Sequence, residues 1–192
     1  MVEDTKATGM GEIRLVYLSR DEFDEGAAHR GGALLIDGKG TPLEFRCTSP
    51  VRPNAVQRTL YGESLEPYML VELIGKPLLS SLRKTYELVL VDDPRFLNLS
   101  AHVSEPMVYL RRQGAAMAPA SGQGEQSASS LLDSPNGAFQ PVVIETFPTD
   151  RVALESAMPM IEEAAKALDP LEPFDRVKRA LQRVHEEKVF EG

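Results

Sequence analysis

The sequence predicts a mixed α/β fold, with α+β as the open alternative. The expected architecture is one central mixed sheet with a β-hairpin, flanking helices and a C-terminal helical segment. Short apolar runs with β-branched residues alternate along the chain with stretches whose apolar residues recur at helical spacing. The 192 residues are 42% hydrophobic and 26% charged, which is the range of globular proteins and excludes wholesale disorder.

The first elements are a strand and a hairpin. Residues 13–19 alternate apolar and polar side chains in part, which is typical of a strand. The apolar runs 33–36 and 43–47 then flank Asp37-Gly38-Lys39-Gly40, and both Asp and Gly tolerate the positive φ of tight turns. We therefore predict a hairpin over 33–47.

Two helices are predicted after the hairpin. A helix over 55–61 can begin at Pro53 or Asn54. Ser64 is a candidate N-cap for a second helix, whose apolar residues recur near a spacing of 3.6. Gly75-Lys76-Pro77 is expected to break or kink this second helix.

A compositional break divides the remainder of the chain. Residues 113–138 consist mainly of Gly, Ala, Ser, Gln and Pro, and such a segment buries too little apolar surface to offset its ordering entropy. We predict a flexible linker or disordered loop there, between an α/β domain at 1–112 and a segment at 139–192. Three more strands are predicted on the two sides of this linker, at 86–91, 106–110 and 141–145.

The segment at 139–192 is expected to contain one strand and two helices. The first helix can begin at Thr149 or Asp150 and carries Pro159 as a kink. The last helix begins near Pro173 and is amphipathic, so its apolar stripe has to be buried against the first segment or against a partner chain. The residues of this predicted docking stripe are Phe174, Val177, Leu181 and Val184.

Composition excludes several classes. No apolar run approaches the ~18 residues of a membrane span, and the first residues lack a hydrophobic signal core. Cys47, the only cysteine, forms no internal disulfide, so we expect a cytoplasmic protein. A net charge of −8 makes nucleic acid an unfavourable partner, although a local Arg-rich region leaves it open.

Asp92 and Asp93 are the strongest candidates for metal or phosphate chemistry. They follow a predicted buried strand, and carboxylates at the carboxyl end of a sheet strand are well placed to bind Mg²⁺ or a phosphate-bearing ligand. The alternative is a plain Asp-Asp-Pro turn. A second, separated carboxylate would come from Asp37, Glu44 or Glu145 if the fold brought one of them near.

Cys47 and His29 offer a different chemistry. A cysteine nucleophile needs a nearby base, and His29 precedes the hairpin that ends at Cys47. A buried structural cysteine is the alternative, because cysteine is among the most buried residue types.

The region from Glu44 to Tyr68 is dense in polar side chains that could line a pocket for an anion or a nucleic-acid phosphate. Exposed Arg on a capped connector is the alternative. The candidate binding residues are Arg46, Arg52, Asn54, Gln57, Arg58, Tyr61 and Tyr68.

These features favour a non-enzymatic α/β adaptor or subunit of a larger assembly, with a protein partner or a second copy of the chain and with no cofactor. The expectation depends on the lack of a coherent catalytic set, the linker and the C-terminal stripe. The alternative is a Mg²⁺-dependent phosphoester hydrolase or nuclease-like enzyme that uses Asp92 and Asp93 with an Arg-rich anion pocket.

Overall fold

The computed structural model describes residues 13–115, 128–147 and 149–187, and it confirms the predicted mixed α/β fold. Seven strands form one mixed sheet in the order β3-β2-β1-β4-β5-β7-β6. Their bounds are β1 Arg14–Phe23, β2 Ala28–Asp37, β3 Pro42–Cys47, β4 Leu88–Val91, β5 Met107–Arg112, β6 Ala128–Leu132 and β7 Val142–Thr146.

β1 lies near the middle of the sheet and pairs antiparallel with β2 and parallel with β4. The predicted hairpin is confirmed as β2 and β3. The Asp37 carboxylate accepts hydrogen bonds from the backbone N–H groups of Lys39 and Thr41, and Gly40 adopts a φ of +84° that favours glycine. The turn chemistry read from the sequence therefore determines this connection.

Helices cover both faces of the sheet. Their bounds are α1 Ala55–Tyr61, α2 Leu65–Tyr68, α3 Lys76–Ser81, α4 Arg151–Ala164 and α5 Glu172–Glu186. A π-helical segment, Met69–Gly75, joins α2 to α3, so the chain continues through Gly75-Lys76-Pro77 where a break or kink is expected. A 3₁₀ segment, Pro94–His102, packs on the same face as this helical stretch, and α4 and α5 cover the opposite face.

Two glycines on β2 let both helical layers approach the sheet closely. A Cβ on Gly31 would lie 2.1 Å from Cγ2 of Ile74, in the π-helical segment. A Cβ on Gly32 would lie 2.8 Å from Cγ1 of Val177, in α5. Neither contact leaves room for a side chain, so Gly31 sets how near the π-helical segment lies to the strands and Gly32 sets how near α5 lies.

The predicted linker at 113–138 differs from the structure at its C-terminal end. Ala128–Leu132 is strand β6, paired antiparallel with β7, and Leu132 is buried. The pairing partner lies ten or more residues further along the chain, which a compositional argument does not detect. Residues 116–127 of the predicted linker lie outside the described residues.

The predicted docking stripe is buried within the same chain. Phe174, Val177 and Leu181 belong to the apolar core beneath α5, and the Phe174 ring meets the Tyr17 ring edge-on at a centroid distance of 5.0 Å. Val184 is half-buried. The expectation that these residues dock a partner is therefore corrected, because the sheet of residues 14–146 already covers them.

Polar contacts hold the C-terminal end of α5 against β1 and β2. The buried Arg30 donates from Nε to Nδ1 of His185 at 3.2 Å, and the His185 ring stacks on Phe23 at a centroid distance of 4.2 Å. Nε2 of His185 lies 3.2 Å from a carboxylate oxygen of Asp24. These contacts position α5 and the side chains that it extends over the sheet edge.

In the parts of the chain that the structure describes, every helix is too short or too polar to cross a membrane.

Candidate functional site at the strand ends

Parallel pairing of β1 and β4 brings two polar sequences together at one edge of the sheet. Leu18 forms the last pair with β4, at Val91, so Ser19 and Arg20, which continue in β1, lie beside Asp92 and Asp93, which follow β4. The carboxyl ends of parallel strands are where α/β folds bind ligands. We call Ser19, Arg20, Asp92, Asp93, Arg95 and Lys178 the strand-end site.

Asp92 is the most enclosed carboxylate of the strand-end site. Its Oδ2 accepts a hydrogen bond from the Ser19 hydroxyl at 2.8 Å and lies 2.7 Å from Nζ of Lys178. Its Oδ1 is buried and accepts no hydrogen bond from the described residues. Burial raises the pKa of the Asp92 carboxyl above its ordinary value, although Lys178 and Ser19 oppose the shift.

Lys178 reaches Asp92 from α5. The preceding residue, Val177, is buried in the core, and the lysine stem runs from there to the sheet edge. Burial works against the charged ammonium, but Asp92, together with Asp21 and Asp175, outweighs burial and raises the pKa of Lys178 above the ordinary value. Lys178 is therefore a cation at neutral pH and forms an ion pair with Asp92.

Asp93 connects the strand end to two arginines. Its carboxylate accepts two hydrogen bonds from the Arg95 guanidinium, at 2.9 and 2.6 Å, and one from Nε of Arg20 at 3.4 Å. Burial raises the pKa of Asp93, but the bonds from Arg95 outweigh burial and hold it below the ordinary value. Glu66 of α2 pairs with both arginines as well. Arg95 therefore contacts two carboxylates, and Arg20 contacts three, because it also pairs with Glu22.

Asp93 also has the turn role that the sequence offered as the alternative. It is the N-cap of the 3₁₀ segment, where its side chain accepts a hydrogen bond from the backbone N–H of Arg95 at 3.0 Å. The two aspartates thus differ in their contacts. Asp93 caps the 3₁₀ segment and binds the arginines, whereas Asp92 keeps one carboxylate oxygen without a partner among the described residues.

Cys47 and His29 are not joined by a hydrogen bond within the described residues. Burial raises the pKa of the Cys47 thiol and so disfavours the thiolate that a nucleophile needs. His29 lies on β2 beside the strand-end site, with Nδ1 3.4 Å from a guanidinium nitrogen of Arg20. Burial lowers the pKa of His29, so its imidazole is neutral at neutral pH.

None of the three possible second carboxylates meets Asp92. Asp37 pairs with Arg14 at the other end of β1. Glu44 on β3 accepts hydrogen bonds from Arg46 and from the backbone N–H groups of Arg83 and Lys84. Glu145 on β7 is bound by Arg111, with β5 between its strand and β4.

The Arg-rich region does not form one pocket among the described residues. Arg46 pairs with Glu44 on β3, and Arg52 pairs with Asp24 at 2.5 Å. Asn54 and Gln57 form a reciprocal capping box at the start of α1. The remaining candidates are Arg58, which donates to the Pro53 carbonyl, and Tyr61 and Tyr68, whose rings lie 5.0 Å apart.

A divalent cation would find one available ligand at this edge. The described residues contain no group of three or more His, Cys, Asp and Glu side chains that could hold a metal by themselves. The buried and unpartnered Oδ1 of Asp92, with the Ser19 hydroxyl nearby, fits Mg²⁺, which is commonly held by one or two carboxylates with waters and substrate phosphates. The Lys178 ammonium lies 2.7 Å from Oδ2, so it would repel a cation bound to Asp92.

Sequence reasoning found Asp92 and Asp93 but missed Ser19, Arg20, Arg95 and Lys178. The two strand ends offered a signal, since polar residues follow both predicted strands and parallel neighbours would bring those ends together. No comparable signal existed for Lys178, because its position depends on the packing of α5.

The fold is similar to that of Endonuclease V. The structure from Streptomyces avermitilis matches with a TM-score of 0.64 and 16% identity over 93% of this chain and 83% of that chain. The Bacillus subtilis protein matches with a TM-score of 0.55 and 11% identity over 91% and 83%. Ciona intestinalis Endonuclease V, in complex with a 24mer DNA that contains an inosine followed by a ribo-adenosine, matches with a TM-score of 0.52 and 8% identity over 90% and 87%.

No family model matches the sequence, and a search of curated proteins finds no match. The likeness in structure is therefore a likeness of fold, extending over nine-tenths of the chain.

The fold comparison corrects three expectations drawn from the sequence. The structural neighbours are nucleases, so the adaptor hypothesis, with its emphasis on protein partners, is wrong, and its nuclease-like alternative is the better one. The expectation of no cofactor is also wrong, because it depended on the adaptor hypothesis that the nuclease neighbours contradict. The expectation that net charge makes nucleic acid an unfavourable partner is also wrong, because the Ciona protein binds DNA on this fold.

Proposed function

We propose that this chain is a nuclease-like enzyme that acts on nucleic-acid phosphodiesters at the strand-end site. The observation that carries the proposal is Asp92, a buried carboxylate with an unpartnered oxygen at the carboxyl end of a parallel strand. The Endonuclease V-like fold supports it, because it indicates which class of ligand this edge would meet.

The side chains of the strand-end site suit a phosphodiester. Asp92 and Ser19 would hold a divalent cation, which supplies positive charge and polarisation to a phosphoryl oxygen when it is bound. Arg20 and Arg95 carry planar guanidinium groups that match phosphate geometry. Asp93 orients Arg95 through two hydrogen bonds, and the neutral His29 lies within reach of Arg20.

The substrate proposal begins from the Ciona complex. That protein binds DNA with an inosine followed by a ribo-adenosine, so an inosine-containing strand is the first substrate to offer this chain. We further propose a cytoplasmic location, since a single free cysteine suits a reducing compartment.

Cleavage is tested with a labelled 24mer that contains one inosine, a matched strand with adenosine in its place, and the corresponding RNA strands. Each strand is incubated with Mg²⁺, with Mn²⁺ and with EDTA, and products are resolved on a denaturing gel. We expect cleavage that requires the metal and falls at least about 100-fold in Asp92→Asn.

The matched control is Glu155→Gln, which changes an exposed carboxylate of α4, a helix that packs on β5, β6 and β7. It should cleave as the wild-type chain does, and thermal melts should show both variants folded. Equal cleavage by Asp92→Asn and the wild-type chain would contradict the proposed site. An absence of both cleavage and binding on all strands would contradict the proposed function.

A second candidate function is nucleic-acid binding without cleavage. The observation that favours it is the Lys178–Asp92 ion pair, which places an ammonium beside the carboxylate that a catalytic cation would use. Fluorescence anisotropy on the same strands separates the two candidates. Binding that persists in EDTA, with no product in Mg²⁺ or Mn²⁺, would establish the second candidate over the first.

A further inference from the structure

We infer that Lys178 and a divalent cation compete for Asp92, so that this lysine controls when the strand-end site takes up metal. The consequence for catalysis rests on the proposed function. The competition itself is a property of three groups, Ser19, Asp92 and Lys178, and it can be measured with metal alone.

The two oxygens of Asp92 have different surroundings. Lys178 and Ser19 contact Oδ2, whereas Oδ1 is buried and unpartnered among the described residues. An enclosed carboxylate with one free oxygen loses solvation without full compensation. Asp92 therefore gains from an additional cation or proton, which agrees with the raised pKa of its carboxyl.

The ammonium of Lys178 opposes the arrival of a second cation. Like charges that share one partly buried carboxylate repel strongly, because the effective dielectric there is well below that of water. A divalent cation would thus bind Asp92 favourably only after the ammonium has moved away. The lysine has room to move, since 43% of its side chain is exposed against 12% for Asp92.

Other carboxylates could receive the displaced ammonium. Asp21, near the end of β1, and Asp175, one turn earlier in α5, both act electrostatically on Lys178 and stabilise its charge. A nucleic-acid phosphate at this edge would offer a third anion. By linkage, a phosphate that draws Lys178 away would strengthen cation binding at Asp92, and the cation would strengthen phosphate binding by the same factor.

The test measures the affinity of the chain for Mn²⁺ alone, without nucleic acid. Binding is monitored by isothermal titration calorimetry and by the electron paramagnetic resonance signal of the free ion. Five chains are compared: wild type, Lys178→Gln, Asp92→Asn, Lys178→Gln combined with Asp92→Asn, and Lys76→Gln. Lys76 is the matched control, because its Nζ also lies 2.7 Å from a carboxylate, Glu72, but on an exposed helix surface.

We expect the wild-type chain to bind Mn²⁺ weakly and Lys178→Gln to bind at least about tenfold more tightly, reaching the ~0.1–1 mM range that weak Ca²⁺ sites show. The gain should vanish when Asp92→Asn is added. Lys76→Gln should behave as the wild-type chain does. A thermal melt of each variant confirms folding, and Lys178→Met, which keeps an apolar stem against Val177, replaces the glutamine variant if that variant unfolds.

Two results would overturn the inference. One is unchanged Mn²⁺ affinity in a folded Lys178→Gln or Lys178→Met chain. The other is tight binding by the wild-type chain that Asp92→Asn abolishes, since the ammonium would then be no obstacle. Neither result depends on whether the chain cleaves or binds nucleic acid, so failure here is distinct from failure of the proposed function.

Discussion

The strand-end site and helix α1 are both rich in polar side chains, yet they differ in how those side chains are used. In α1 the conspicuous residues serve their own segment: Asn54 and Gln57 cap the helix, and the Arg58 side chain donates to the Pro53 carbonyl. At the strand ends, Ser19, Asp92 and Lys178 come from three distant parts of the chain and meet around one carboxylate.

Burial separates the two regions further. Helix α1 has no buried residue, and Leu60 is 77% exposed. The Asp92 and Asp93 side chains are only 12% and 13% exposed. Polar groups that are enclosed at a strand end cost free energy unless they are paired, so the few that remain unpaired point to a ligand more strongly than a dense but solvated segment does.

The largest effect on stability is expected from Asp93→Ala. This change removes the N-cap of the 3₁₀ segment and a carboxylate that both Arg20 and Arg95 contact. We expect a loss of about 2–3 kcal/mol in the free energy of unfolding, measured by urea denaturation. A loss below about 0.5 kcal/mol would contradict the organising role given to Asp93.

Low pH should remove the extra stability that the wild-type chain has over Asp93→Asn. The pKa of the folded carboxyl lies below its ordinary value of 3.8, so its stabilisation is present above that value and is lost as the pH falls through the lowered pKa. The difference in unfolding free energy between wild type and Asp93→Asn should be constant from neutral pH to about pH 5 and shrink below it. A difference that widens in acid would contradict this sign.

The contribution of Asp92 to folding stability should depend on pH in the opposite direction. Its folded pKa is raised, so the folded chain binds the proton more tightly than the unfolded chain does, and stability falls as the pH rises through the interval between the two values. The wild-type chain should therefore lose stability relative to Asp92→Asn over that interval. Melting temperatures of the two chains across the acid range measure it, and a parallel pair of curves would refute it.

A smaller effect is expected from Asn54→Ala, at the N-cap of α1. The capping box is lost, but the helix is exposed, so we expect about 1 kcal/mol or less and faster local hydrogen exchange over α1. A global loss as large as that of Asp93→Ala would mean that the two regions are more alike than their contacts indicate.

The smallest effect on stability is expected from Arg58→Ala, which should stay within about 0.5 kcal/mol. This variant also tests the remaining prediction that residues of α1 bind an anion. If Arg58 contacts phosphate, the salt dependence of nucleic-acid binding should weaken by a slope of about one. An unchanged slope would leave the strand-end site as the better account of binding.

Local chemistry explains which parts of the fold the sequence could predict. The hairpin at β2 and β3 follows from Asp37 and Gly40, and α5 follows from the spacing of Phe174, Val177 and Leu181. Strand β6 was missed, because its pairing with β7 depends on a long-range contact rather than on the composition of its own segment.

The site was half predictable for the same reason. Asp92 follows a recognisable strand, so its place at a strand end could be inferred from the sequence. Lys178 is one of several charged residues on α5, and only the close approach of that helix at Gly32 brings it to Asp92. The role of such a residue depends on how two elements pack, so the neighbouring residues in the sequence do not predict it.

Hydrogen exchange of the wild-type chain, with and without the inosine-containing 24mer, tests the central claim most directly, because no substitution is needed. The account predicts protection at the ends of β1 and β4, at the start of the 3₁₀ segment and in α5 around Lys178. Protection confined to α1 and the preceding connector, with these segments unchanged, would contradict it.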